Sequence, residues 1–370
     1  MKLMKTYKYK LNLTKTQERT CDSWVNTCRY VYNIALSERI MVYEMRKKSV
    51  SKYDQYNQLP ELKVQFPFLK ELYSDTIQEV LDRVDKSYQN FFRGAGFPKF
   101  SRKGEYNSFT FKRSFKVNNR TIKLPKIGEV KYYNSRPIIG TPKTATIIKE
   151  AGGWFICITS EYESSVPEKI VVDNQNPIGL DCGISRFLAL SDGTFIDSPL
   201  FLEPNLAKLK ILQRKLSRQK KGSNSRDKTK EKIRKVYNKI SNQRLDFLHK
   251  TSTTLSDKYS AIYMEDLNLQ KMQQSGFTKV NRGMSDKGFG NFKVLLTYKM
   301  KHRGKHLGLV NPAYTSQTCF ACGTIDKKSR ISQAEYVCTS CGFMDNADVM
   351  ASKNILREGI SQITKRKTLV

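Results

Sequence analysis

Acidic residues are scarce in this chain: 34 Asp and Glu stand against 66 Lys and Arg in 370 residues, a formal net charge of +32. A compact chain with that imbalance repels itself unless a polyanion neutralises it. That disfavours a handler of small metabolites and points to nucleic acid. Long apolar runs are missing as well. No stretch approaches the roughly 18 residues that a membrane span requires, and the opening MKLMKTYKYKLNL lacks the apolar segment of a secretory leader. Cysteines are few and unevenly placed. Four of the eight form two Cys-x-x-Cys pairs, and Cys21, Cys28, Cys157 and Cys182 are scattered. This is the usage of a reducing compartment with one metal site, not of a disulfide framework. No internal repeat is visible. Tyr and Phe, by contrast, are plentiful at 19 each, offering faces on which bases stack. A generic basic protein with solvated lysines is the competing reading, but the charge is clustered. The length suits two or three domains.

Residues 5 to 13 alternate, with Tyr7, Tyr9, Leu11 and Leu13 on one side, and read as a half-buried strand. Thr14 and Gln17 form a capping-box pattern that opens a helix running to about residue 48. A second helix is expected over 74–92, with Ile77, Leu81, Val84, Tyr88 and Phe91 on one stripe. From Gly94 the texture becomes short β-like pieces (SFTFKRSFKV, TIKL, EVKYY, TATIIKE, WFICITSEYE), which suggest a small barrel or sandwich that the first strand joins. The hydrophilic stretch VPEKIVVDNQNP links to the next domain. There IGLDCGISRFLALSDGTFIDSPL reads as strand, turn and strand, with Asp-Gly making a hairpin. A basic helical hairpin follows over 203 to about 257. Between Lys208 and Lys250 it carries 16 Lys or Arg and three acids. Each lysine alone could be solvated helix face, but the array as a whole suits phosphates. SAIYMEDLNL is a short strand ending in acids, RGMSDKGFGN a Gly-rich loop, 291–303 a helix and HLGLVNP another strand.

Cys319 and Cys322, then Cys338 and Cys341, each precede a glycine, and 15 residues separate the pairs. Four such thiolates make a closed tetrahedral site, structural and with no open position for water; zinc is preferred over iron, though both accept four sulfurs. The acids deserve to be read together, because two-metal phosphodiester hydrolysis needs several carboxylates around a pair of Mg²⁺ ions. Asp181 sits in the otherwise apolar run IGLDCG, where an acid costs several kcal/mol of desolvation unless compensated; a turn aspartate before Gly183 is the plainer alternative. Glu265 ends the apolar strand AIYM, the end at which acids line ligand crevices of α/β sheets. Its alternative is the start of a polar loop. Asp348, with Asp345 or Asn346 as N-cap, lies near the third helical position, where an acid simply favours the helix dipole.

In order along the chain, GLDCGI, ILQRKLSRQKKGS, YMEDLNL, TSQTCFACG, AEYVCTSCG and DNADVMASKNIL resemble the TnpB proteins of insertion sequences, and YKYKLNLT, YNIALSER and GFPKFSRKG extend the resemblance upstream. TnpB proteins are RNA-guided DNA nucleases related to the type V CRISPR effectors. The resemblance implies a multidomain α/β plus β-barrel protein. A RuvC-type, RNase H-like nuclease domain would span 176–315 and 344–358, with a zinc-ribbon insertion for target nucleic acid at 316–343. An N-terminal wedge-like β-barrel (1–13 and 94–175) would be interrupted by a helical recognition lobe (14–93), and 359–370 would be a tail. It places the catalytic acids, and the ligands of two Mg²⁺ with Mn²⁺ as substitute, on Asp181, Glu265 and Asp348. One structural Zn²⁺ would sit on Cys319, Cys322, Cys338 and Cys341. The partners would be a guide RNA from the transposon end and target double-stranded DNA found beside a short flanking motif, with no membrane and no small-molecule substrate. The place of work would be the prokaryotic cytoplasm, at the nucleoid when bound to DNA. Candidate nucleic-acid contacts are Lys99, Arg102 and Lys103, beside Phe97 and Phe100, and Arg214, Lys215, Arg218, Lys220 and Lys221 on the basic hairpin. One departure stands out: Met350 occupies the place of the Asn in the family's usual Asp-x-Asn-Ala-Ala. A guided binder that does not cut, and an unguided transposase or resolvase on the same fold, are the alternatives.

Overall fold

The computed structural model describes residues 2–166, 172–173, 175–183, 185–266, 286–332 and 334–368, without the side chains beyond 363. The first four residues of the Gly-rich loop (282–285), the end of SAIYMEDLNL (267–269) and part of the VPEKIVVDNQNP linker lie outside the described residues. Two compact units divide the chain, Lys2–Glu163 and one that begins at Ser164.

In the first unit β1 (Lys2–Asn12) leads into α1 (Lys15–Arg46). The capping box is present: Gln17 N donates to Thr14 Oγ1 at 3.2 Å, and Thr14 N donates to the Gln17 carboxamide at 3.1 Å. Short helices α2 (Lys52–Asn57) and α3 (Leu59–Gln65) precede α4 (Ser74–Phe92). Strands β2 (Ser108–Phe111), β3 (Lys116–Val117), β4 (Thr121–Leu124), β5 (Gly128–Tyr132), β6 (Thr141–Glu150) and β7 (Gly153–Glu163) complete a seven-stranded sheet in the order β2-β6-β7-β1-β5-β4-β3. As expected, β1 joins this sheet, pairing through Lys10 with β7 and through Leu11 and Asn12 with β5. The expected barrel is not closed among the described residues, because β2 and β3 end the sheet without pairing to each other. Helices pack on the sheet instead. Trp24 of α1 packs its ring 5.3 Å from Phe109 and 5.9 Å from Phe111, and Ile77, Val80 and Val84 of α4 join the same core.

The second unit is a three-layer α/β arrangement. Its sheet runs β10-β9-β8-β11-β12, with β8 (Pro177–Cys182), β11 (Ala261–Glu265) and β12 (His306–Val310) mutually parallel at the centre and one side. β9 (Leu188–Leu190) and β10 (Phe195–Ile196) continue it antiparallel. Asp192 and Gly193 form the expected turn between them, where Gly193 adopts φ +85°. On one face Ile178, Leu180, Ile262 and Met264 pack against α6 (Asn224–Lys258) and α7 (Phe289–His302) through Leu248, Leu255, Phe292 and Leu296. On the other face Ala261, Tyr263 and Val310 meet Ile355 of the last helix, α8 (Ala347–Thr368). α8 continues through the stretch expected as a tail. The basic hairpin is α5 (Leu206–Arg218) and α6, seamed by Leu209, Val236 and Ile240. Within this unit β13 (Glu335–Val337) and β14 (Met344–Asn346) form a small separate ladder.

Candidate active site and metal centre

Strand parity decides where the acids point. Side chains alternate across a strand, so Asp181 shares a face with Gly179, and Glu265 with Ala261 and Tyr263. That is the α8 face. The parallel register pairs Leu180 with Met264, which sets Asp181 and Glu265 side by side at the carboxyl ends of neighbouring strands. Gly179 lets α8 lie flush on β8: a Cβ there would meet the Ser352 carbonyl oxygen at 2.1 Å. One turn before Ser352, the start of α8 brings Asp348 to the same place, with Oδ2 3.9 Å from the position a Gly183 Cβ would take. Three acids from three elements therefore meet in one crevice.

Their charges are felt. Burial pushes the Asp181 carboxyl up to about 7, with Glu265 and Asp348 adding repulsion and Arg330 opposing it. Burial also raises Glu265, against a hydrogen bond from Thr315. Thr315 Oγ1 donates to Glu265 Oε1 at 2.5 Å, and Arg330 donates to Asp348 Oδ1 at 3.1 Å. One oxygen of each carboxylate is thereby fixed by a protein donor. Their partner oxygens, together with Asp181, form an all-oxygen donor set of the kind hard divalent ions prefer. The three carboxylates stand further apart than the cysteines do. Among the described residues only Cys319, Cys322, Cys338 and Cys341 bring three or more candidate ligand atoms within 4.8 Å of one another.

Each cysteine pair sits in a tight knuckle. Gly323 N donates to the Cys319 carbonyl and Gly342 N to the Cys338 carbonyl, both at 3.0 Å, and both glycines adopt positive φ, +77° and +72°. A side chain would be strained at either turn. The Cys319–Cys341 and Cys322–Cys338 sulfurs lie 3.7 and 3.6 Å apart. A disulfide is excluded by that separation, whereas a tetrahedron with Zn–S bonds of about 2.3 Å has edges of about 3.8 Å. The residues present fit zinc.

Sequence reasoning missed Thr315, Arg330 and Asn354. Buried in α8, Asn354 donates to the Thr315 and Thr318 carbonyls at 2.9 and 2.7 Å, tying the segment before the first cysteine pair to the helix. The only local signal was position inside TSQTC, SRISQ and SKNIL. The cap of α8 is Asn346, whose Oδ1 accepts from Asp348 N and Val349 N. Asp345 is not the cap: it pairs with Lys353 at 2.7 Å. Met350 is fully buried among Cys319, Tyr336, Cys338 and Ala347. The candidate contacts Lys99, Arg102, Lys103, Arg214, Lys215, Arg218, Lys220 and Lys221 are all exposed, and none forms an ion pair with an acid among the described residues.

An acidic crevice at the ends of parallel strands, beside a four-cysteine cluster, defines a mixed α/β metal-site protein. The comparisons place it more narrowly. The OrfB_IS605 family, described as "Probable transposase", matches residues 156–276. The "Cas12f1-like, TNB domain" family matches 289–355, and a "Helix-turn-helix domain" matches 1–48, here a strand and a single long helix. The chain is 35% identical to the "Putative RNA-guided DNA endonuclease InsQ" of Escherichia coli (strain K12), covering 97% of this chain and 93% of that one. It is 30% identical to a "Putative RNA-guided DNA endonuclease" of Streptomyces pristinaespiralis, over 96% and 90%. Its fold is similar to Cas12f1 in a cryo-EM complex with sgRNA and target DNA, with TM-score 0.61 at 14% identity, over 92% and 83% of the chains. The chain belongs to the TnpB family. No helix among the described residues is long and apolar enough to cross a membrane.

Proposed function

We propose that the protein is a transposon-encoded, RNA-guided DNA endonuclease. It would cleave target DNA by two-metal phosphodiester hydrolysis after guide pairing next to a short flanking motif. The observation that carries this reading is the convergence of Asp181, Glu265 and Asp348, from β8, β11 and α8, at one place where Asp181 is buried and feels the charge of the other two, a donor set suited to divalent cations. The names of the relatives support the guided, DNA-cutting part. A parallel β8–β11–β12 core flanked by antiparallel β9 and β10 supports a RuvC-type, RNase H-like domain over 176–315 and 344–358. In the same reading the zinc ribbon is 316–343, the helical recognition lobe 14–93, and the wedge-like β domain 1–13 with 94–175. The guide comes from the transposon end, and the work is done in the prokaryotic cytoplasm.

Divalent ions, Mg²⁺ or Mn²⁺, held by the three carboxylates would supply activation of water and stabilisation of the departing 3′-oxygen. The chain's own contribution is orientation. The Thr315 hydroxyl holds one oxygen of Glu265, and the Arg330 guanidinium holds one oxygen of Asp348 while adding positive charge beside the three carboxylates. The ribbon, clamped by its four thiolates, fixes where Arg330 stands. Exposed cations on α5 and in the loop after α4 would take phosphates.

The test is cleavage of a plasmid carrying a matching target by the purified protein with its co-purified RNA. Asp181→Ala or EDTA abolishes cutting and leaves RNA binding intact. Unchanged cutting with either would sink the assignment, and cutting that survives RNase treatment of the complex would make the enzyme unguided.

A further inference from the structure

The unit Lys2–Glu163 carries an aromatic surface that its own packing leaves unused. Tyr88, Phe91 and Phe92, in the last turns of α4, interlock with Phe97 of the following loop, ring centroids 5.3 to 6.5 Å apart. Yet Phe92 is 79% exposed, Phe97 49% and Phe100 52%. Three exposed rings within nine residues of chain are a liability for a free-standing protein and mark a surface that something covers.

The exposure is built in, because the loop is pinned. Pro98 is buried beneath it. The Asn33 carboxamide on α1 clasps Ser101 in both directions, donating to its carbonyl at 3.0 Å and accepting from its amide at 2.8 Å. Arg102 N donates to the Glu105 carboxylate at 2.9 Å. Around the rings, Arg93, Lys99, Arg102 and Lys103 are exposed, and Glu105 is the one acid between residues 93 and 105. Rigid rings interleaved with unpaired cations match an unstacked base with phosphates on either side.

We propose that Phe92, Phe97 and Phe100 stack on unpaired bases of the guide RNA while Lys99, Arg102 and Lys103 take the flanking phosphates. This rests on the RNA-guided reading and adds to it a defined single-strand seat. RNA is the occupant, not DNA, because stacking needs unpaired bases, which a single-stranded guide offers directly and a duplex target offers only after its strands separate.

The probes are a 12-nucleotide oligouridylate carrying 4-thiouridine and its deoxy counterpart carrying 4-thiothymidine, used with the full-length protein. Photocross-links map to the tryptic peptides of Phe92–Lys103 with the ribo probe. In anisotropy titrations across a KCl series, the combined Phe92→Ser, Phe97→Ser, Phe100→Ser variant binds the ribo probe at least about tenfold more weakly with an unchanged salt slope. Trp at the three positions restores binding, which a folding defect would not allow. Replacing Lys99, Arg102 and Lys103 by Gln lowers the slope by about 2, roughly 0.7 for each lost single-strand phosphate contact. The inference falls if the Ser variant binds as wild type while the wild-type complex still cuts DNA. It falls equally if cross-links at these peptides form with the deoxy probe alone. A wild-type protein that neither holds RNA nor cuts overturns the RNA-guided reading itself.

Discussion

Gly179→Ala adds one methyl group to the sheet face on which α8 rests. The new Cβ would stand 2.1 Å from the Ser352 carbonyl oxygen, 2.9 Å from Leu356 N and 3.0 Å from Leu356 Cβ. Two of these are backbone atoms of the helix, so no rotamer change relieves the contact, and α8 must lift by about 0.9 Å to restore a tolerable separation. Val349, Ala351, Ser352, Asn354 and Ile355 are all buried on that helix, so lifting it loosens a packed layer. Overpacking of this kind costs about 1–3 kcal/mol, and the upper end applies because the obstacle is backbone. Asp348 rides on the same helix, and a displacement near 1 Å at a reacting group lowers rates by roughly 100-fold. Urea unfolding followed by circular dichroism measures the first effect. Plasmid cleavage well below the unfolding transition measures the second. Gly193→Ala is the control: a Cβ there meets nothing within 4 Å, and only its φ of +85° is strained. It loses about 1 kcal/mol and cuts normally. If Gly179→Ala loses less than about 0.5 kcal/mol and cuts at the wild-type rate, α8 does not seat Asp348 in the way argued.

Two further outcomes follow from buried chemistry. Cys338→Ser removes a thiolate from a site whose ribbon has almost no other core, so bound zinc falls far below one per chain by elemental mass spectrometry. The ribbon becomes trypsin-sensitive, and DNA cutting is lost because Arg330 is no longer held at Asp348; a variant that keeps its zinc would contradict the four-thiolate site. Lys299 is buried, donates to the His249 carbonyl, Ser252 Oγ and Thr253 Oγ1, and is drawn down to about 8 by burial. Between pH 8 and 10.5 the unfolded chain binds the proton more fully than the fold does, so the burial penalty, complete below pH 8, is released as pH rises. Wild-type stability relative to Lys299→Met therefore increases over that window, by at most about 3 kcal/mol, and flat parallel profiles would refute it.

Features set by short-range spacing were legible in the sequence. The capping box at Thr14, the two cysteine knuckles and the Asp-Gly hairpin each depend on residues within a few positions. The acid in IGLDCG was legible for a different reason: a carboxylate in an apolar strand has to be compensated, and parity then assigns its face. Contacts across long separations were not legible. Thr315 reaches Glu265 across 50 residues and Arg330 reaches Asp348 across 18, and only the folded ribbon brings them there. The choice of cap turned on one residue. Pairing of β13 with β14 takes Asp345 into a strand opposite Tyr336 and leaves Asn346 to cap. Barrel closure failed as an expectation because strand count says nothing about whether the end strands β2 and β3 pair or helices cover the sheet instead.

Met350 shows how such tertiary placement changes the meaning of a substitution. As a sequence feature it removes an amide two residues from Asp348. In the fold its side chain packs under the ribbon with Cys319, Tyr336 and Cys338, and its sulfur lies against Asn354 Nδ2, whose two hydrogens go to the Thr315 and Thr318 carbonyls. The residue therefore seats the ribbon on α8 and does not touch the carboxylates. Met350→Asn places a polar amide in that apolar pocket beside an Asn354 amide already committed to two carbonyls. A buried group left without full partners costs about 1–3 kcal/mol. Stability should fall by that amount in urea unfolding, while cutting by the folded complex stays within about threefold of wild type, a difference under 1 kcal/mol. A tenfold gain in cutting at unchanged stability would instead put the missing amide in the chemistry of Asp348.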